Sequence, residues 1–137
     1  MDDRAVLVDV EAVEQSPSGT VLGRVRSQVG TVVALWKGDP ADVGRQHYVE
    51  WTVDDDIAWL GNTWPASTAA PKLSDEGDQI AFRGQLHLTE DGAAFLDVGG
   101  VSILFDLADP SPPQGADAMW VDVRVARDSV SLWPYDL

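Results

Sequence analysis

Ile80-Ala81-Phe82-Arg83-Gly84-Gln85-Leu86-His87-Leu88-Thr89 is the stretch that decides the fold. Ile80, Phe82, Gly84, Leu86 and Leu88 alternate with Ala81, Arg83, Gln85, His87 and Thr89. A period of two gives an extended chain one apolar and one polar face, whereas a helix needs apolar spacings of three and four. Glu90-Asp91-Gly92 supplies a turn, and Ala93 to Val98 a return strand. Gly99-Gly100 then reverses the chain into Val101 to Leu107. The segment predicts an antiparallel meander with one face buried.

The same period extends outward. Val121, Val123 and Val125 point inward in the last clear strand, leaving Trp120, Asp122 and Arg124 outward. Val6, Val8, Val10 and Ala12 alternate with Leu7, Asp9, Glu11 and Val13, and the cluster Gln15 to Gly19 turns the chain into Thr20 to Arg26. These two runs predict an N-terminal hairpin. Val29 to Trp36 is apolar on both faces, as a covered central strand would be, with Gly30 marking a bulge or sharp coil. Gln46 to Val53 places Val49, Trp51 and Val53 on one face, before Asp54-Asp55-Asp56 interrupts it. Residues 61–78, with Pro65, Pro71, Gly61 and Gly77, read as a long loop and a candidate mobile flap. Residues 108–118 form a second loop, and Ser129 to Trp133 a final short segment stopping at Pro134.

About eight or nine short strands in a chain of this length predict an all-β fold, a single domain over residues 1–137 built as a small β-barrel. The order of a long bent early strand, a three-strand meander, a long loop and a closing strand resembles an OB-fold-type barrel with an added N-terminal hairpin. That resemblance spans residues 20–133 and lacks the short helix usual between strands 3 and 4 of such barrels. An eight-stranded β-sandwich is the alternative. Architecture of this kind implies no function by itself.

The chain holds 9 Lys+Arg against 23 Asp+Glu, a formal charge of −14. The acid is spread evenly: residues 1–68 carry 11 acids and 5 bases, and residues 69–137 carry 12 and 4. Such a field repels phosphate backbones and anionic membranes and steers basic surfaces inward, so neither nucleic acid nor a membrane is expected as partner. Cysteine is absent, which removes thiol nucleophiles, disulfides and cysteine metal sites. No basic-then-apolar leader or apolar run of membrane-spanning length occurs, so the expected compartment is the cytoplasm. Arg exceeds Lys 7 to 2, a composition resembling GC-rich bacterial coding.

Catalytic signals are sparse. His47 and His87 are the only imidazoles, both at polar strand positions, and no G-x-S-x-G elbow or phosphate-cradling glycine loop is present. Asp54, Asp55 and Asp56 could approach a hard cation. Adjacent strand residues point to opposite faces, however, and neither this run nor Asp75, Glu76 and Asp78 has calcium-loop spacing. No metal and no cofactor are expected.

The six tryptophans are the positive signal. Trp51 shares its face with Val49 and Val53 and belongs in the core. Trp59 follows the Asp cluster, Trp64 sits in the long loop, Trp120 is in phase with Asp122 and Arg124, and Trp133 with Ser129 and Ser131. Outward Trp beside carboxylates suits an interface anchor, a cation cage or sugar stacking, although large aromatics also cap small barrels. The expectation is a non-catalytic binding protein. Its acidic surface, formed by Trp59, Trp64, Trp120, Trp133, Asp54, Asp55 and Asp56, would dock a basic protein, in the manner of an immunity-type neutraliser of a basic enzyme or toxin. A small-ligand or carbohydrate-binding barrel with residues 61–78 as a lid is the alternative, and an enzyme the third possibility.

Overall fold

Period-two alternation becomes eleven strands among residues 5–135, the part of the chain described by the computed structural model. Five of them close a barrel: β1 (Ala5–Gln15), β2 (Val21–Ser27), β3 (Gly30–Trp36), β4 (Gln46–Val53) and β11 (Val130–Pro134). Around the barrel the order is β1-β2-β3-β11-β4, with β4 returning to β1. β11 runs parallel to β3, and every other barrel pair is antiparallel. A last strand inserted between the third and fourth is the order of the OB-type barrel. Between β3 and β4 the chain makes only a three-residue 3-10 turn, Pro40–Asp42, capped by the Asp39 carboxylate on the Ala41 N–H.

The chain between β4 and β11 forms a second sheet of six strands. These are β5 (Thr63–Pro65), β6 (Lys72–Glu76), β7 (Gln79–Leu88), β8 (Ala93–Val98), β9 (Val101–Asp106) and β10 (Trp120–Ala126). The order is β5-β10-β7-β8-β9, with β6 also on β7. β10 runs along one edge of β7. The other edge is shared, β6 facing Gln79 to Arg83 and β8 facing Gln85 to Leu88. Gly84 sits at the changeover, where a Cβ would lie 2.4 Å from the Asp97 carbonyl oxygen.

Three expectations are corrected. The N-terminal hairpin is not an addition but two of the five barrel strands. The strand at Val121 to Val125 does not close the barrel, because β10 pairs with β7 and β5, and the short segment β11 closes it instead. Residues 61–78 are not a flap: β5 and β6 are built into the second sheet, leaving only residues 66–71 between them. β5 and β6 are short and carry Pro, Lys and Ser, so they show no alternation to read.

Barrel and sheet share one contiguous apolar core. Its joint is aromatic: Phe82 of β7 meets Trp51 of β4 edge-to-face at 6.2 Å and Phe105 of β9 at 6.4 Å. The barrel interior is filled by Val8, Val10, Val25, Val32, Trp36 and Leu132, among others, so it is a packed core and not a ligand chamber. β6 lies across the outside of β3, where the Leu73 N–H bonds the Val29 carbonyl at 3.0 Å. Gly30 permits that approach: its φ is +149°, and a Cβ would fall 1.8 Å from the Leu73 carbonyl oxygen. Arg127 clamps the same joint, its Nη1 donating to the Val33 carbonyl at 2.6 Å and to Asp75 Oδ1 at 2.7 Å. Its Nη2 reaches the Gly77 carbonyl. Among the described residues no helix is long and apolar enough to cross a membrane.

Candidate functional site

The outward phase of the strands carries two distinct surface features. The first lies where β4 of the barrel runs beside β9 of the sheet. Glu50, Thr52 and Asp54 on one side, and Leu104 and Asp106 on the other, line an open groove of about 250 Å³. Leu104 is 52% exposed although it sits in the apolar run Val101-Ser102-Ile103-Leu104-Phe105, because its neighbours Ile103 and Phe105 take the inward phase. Opposite it on β8 is Phe95, also exposed, and Phe95 stacks on His87 of β7 with ring centroids 5.0 Å apart. His87, Phe95 and Leu104 thus form one row across three strands.

Trp133 of β11, 49% exposed, is paired with Glu50 of β4, a residue of the groove's barrel side. Opposed residues on antiparallel strands have Cβ atoms about 4.5–5.5 Å apart. The Lys37 ammonium stands over the Trp133 ring at 5.8 Å, and Glu50 accepts a hydrogen bond from the Tyr135 hydroxyl. Trp51 contributes to the groove from the core side. Its indole N–H is buried with no acceptor among the described residues. The result is an exposed apolar pair, Leu104 and Phe95, beside a groove rimmed by Glu50, Asp54 and Asp106, with Trp133 next to Glu50.

The second feature is a groove of about 290 Å³ on the outer face of β5, β10, β7 and β6. Trp64, Asp122, Arg83 and Lys72 form one cross-strand row, with Arg124 two residues along β10 from Asp122. Arg83 Nε donates to Asp122 Oδ1 at 2.8 Å.

The seven residues expected from sequence are therefore divided, not gathered. Asp54 lines the acidic groove and Trp64 the other, while Trp133 is outside both lining sets, paired with the rim residue Glu50. Trp120 lies on the outer face of β10, opposite Gln85 of β7, half-buried and outside both sets of lining residues. Trp59 packs on the core edge, so it is not a free surface aromatic. Asp55 is occupied structurally, its carboxylate accepting the Ala126 N–H at 3.0 Å. Asp56 is exposed in the turn, where its carbonyl accepts from Asn62 Nδ2 at 2.8 Å. The three aspartates do not converge, and no set of three or more acids or imidazoles among the described residues is arranged to hold a metal ion.

Sequence reasoning missed Leu104, Phe95, Glu50 and Asp106. A signal existed for the first two: each is a large apolar residue on the polar phase of its strand. Lys72, Arg83 and Arg124 were also missed as a group, since only strand pairing brings them together. No family model matches this chain, and neither a similar curated protein nor a similar solved structure was found.

Proposed function

We propose that this protein is a non-catalytic docking protein whose β4–β9–β11 face binds a basic protein partner, most concretely by covering the cationic surface of an enzyme or toxin. The observation that carries this reading is the outward Leu104 lining a groove rimmed by Glu50, Asp54 and Asp106, with the exposed Trp133 paired to the rim residue Glu50. An apolar centre with a charged rim is the anatomy of protein interfaces, and Trp is among their commonest energetic anchors. The net charge of −14 supports fast, salt-sensitive association with a cationic surface.

Lys37 over Trp133 acts as an internal example of the contact, since the ring already receives a cation on its face. A partner Arg in that position would gain more, because guanidinium groups stack on aromatic faces. The lid version of the ligand-binding reading loses its support, because residues 61–78 form sheet strands and the barrel interior is filled.

The test is retention of proteins from an extract of the source cells on immobilised wild type, the Trp133→Ala/Leu104→Ser variant, and the Lys72→Gln/Arg124→Gln variant. A basic protein should be held by the first and third, released by salt, and bound at least about tenfold more weakly by the second, as loss of one or two anchors implies. Equal retention by all three would place any partner elsewhere.

A further inference from the structure

The second groove gathers positive charge on the surface of this acidic chain. Of its 9 Lys and Arg residues, three, Lys72, Arg83 and Arg124, line that single groove. Lys72 is directly opposite Arg83, and Arg124 is opposite Ala81, diagonal to Arg83. Like charges directly opposed on a sheet are destabilising, and diagonal neighbours about 7–8 Å apart still interact. Asp122 answers only the Nε edge of Arg83. Among the described residues neither Lys72 nor Arg124 has an ion-pair partner within 4.0 Å. Glu76 is the groove's second acid beside Asp122, so three cations face two carboxylates there, and that surplus of positive charge, on a chain with 23 acids, is what an anion would relieve.

We propose that this groove binds a small phosphate-type anion carried on a planar ring. The cations set the charge: the Arg83 fork, held in plane by Asp122, presents its remaining N–H groups, and Lys72 and Arg124 flank it. Trp64, 37% exposed at the end of the same cross-strand row, offers the face for a ring. Size and field restrict the ligand to a small one. The groove holds about 290 Å³, at the lower end of small-molecule sites. Screening over roughly 8–10 Å lets a compact anion feel mainly the groove's own charges, three cations against Asp122 and Glu76, whereas a polyanionic strand would also meet the acidic remainder of the surface.

Calorimetric titration of the whole protein with phenyl phosphate, inorganic phosphate, phenol and an oligothymidylate tests the proposal. Phenyl phosphate should bind more tightly than inorganic phosphate or phenol. Trp64→Ala should reduce phenyl phosphate to the level of inorganic phosphate, and Lys72→Gln/Arg124→Gln should weaken both phosphates at least tenfold. The same double variant should melt no lower than wild type without ligand, since it removes like-charge repulsion; a lower melting point would mean the cations are structural and overturn the proposal. It fails equally if phenol binds as well as phenyl phosphate, if the double variant binds unchanged, or if the oligonucleotide binds more tightly than the small anion.

Discussion

Truncating Phe82 to alanine should be among the most damaging single changes available to this protein. The side chain is 1% exposed and contacts Trp51 of the barrel and Phe105 of the sheet edge-to-face, so it joins the two layers. Phe→Ala in a packed core costs about 3–5 kcal/mol, and each aromatic pair adds roughly 0.5–1.5 kcal/mol beyond area alone, which points to the upper half, about 4–5 kcal/mol. At about 2.1 cal/mol/K per residue, the 137-residue chain has an unfolding entropy of roughly 0.29 kcal/mol/K. The melting temperature should then fall by roughly 14–17 °C. Arg83→Ala is the matched control, one residue along on the opposite face. Its ion pair with Asp122 is part-exposed, with side-chain accessibilities of 23% and 33%, so the loss should stay below about 1 kcal/mol. Thermal melts followed by far-UV circular dichroism and by Trp fluorescence provide the readout. Similar losses at the two positions would refute the strand phase. Melts of wild type that separate between the two probes would refute a core shared by barrel and sheet.

Other perturbations probe the joint between β3 and β6 and the acid response. Arg127→Ala should cost about 2 kcal/mol, since charged hydrogen bonds to Val33 and Asp75 are lost and a carbonyl is left unsatisfied. It should also accelerate hydrogen exchange at the Val33 amide, which donates to Asp75 Oδ1. Gly30→Ala should destabilise by more than about 2 kcal/mol, because its Cβ cannot coexist with the Leu73 carbonyl and the positive φ disfavours it; a melting temperature within 3 °C of wild type would contradict the β3–β6 packing. The Arg26 guanidinium, followed by Gln46, bonds the Asp9 carboxyl and holds it below its ordinary range. Its small stabilisation is therefore present above the unfolded value of about 3.9 and lost as pH falls through the lower folded value. Arg26→Met should move the Asp9 midpoint upward in an NMR titration.

Much of the fold was legible because alternation is a local property. Ile80 to Leu88 and Val121 to Val125 bury the expected phase, and Ala93 to Val98 forms the expected return strand. Partner identity is not local. Nothing in Ser129 to Trp133 announces that it enters between β3 and β4, and the hairpin at the N-terminus looks the same whether it extends a barrel or helps to form one. Short edge strands such as β5, with only Thr63 buried, leave no periodic trace. The candidate site suffered more, because it depends on which outward residues become neighbours. Trp133 was visible as an outward aromatic, but the groove beside its partner Glu50 arises from the contact of β4 with β9, which brings Glu50 to Asp54 against Leu104 and Asp106 from about 50 residues away in sequence. Leu104 and Phe95 carried the clue of large apolar residues on a polar phase. Asp54, Asp55 and Asp56 misled because a run of acids in sequence became a turn whose members face different neighbours.

The docking surface is tested most directly by hydrogen exchange on the protein with and without the basic partner retained in the capture experiment. Protection should appear in β4, β8, β9 and β11, centred on residues 50–54, 95–106 and 131–134, and it should weaken at high salt together with binding. Residues 63–65 and 72–76 should exchange unchanged. Protection confined to those two segments, or to the β1–β2 turn, with the Trp133 and Leu104 strands unaffected, would contradict the account.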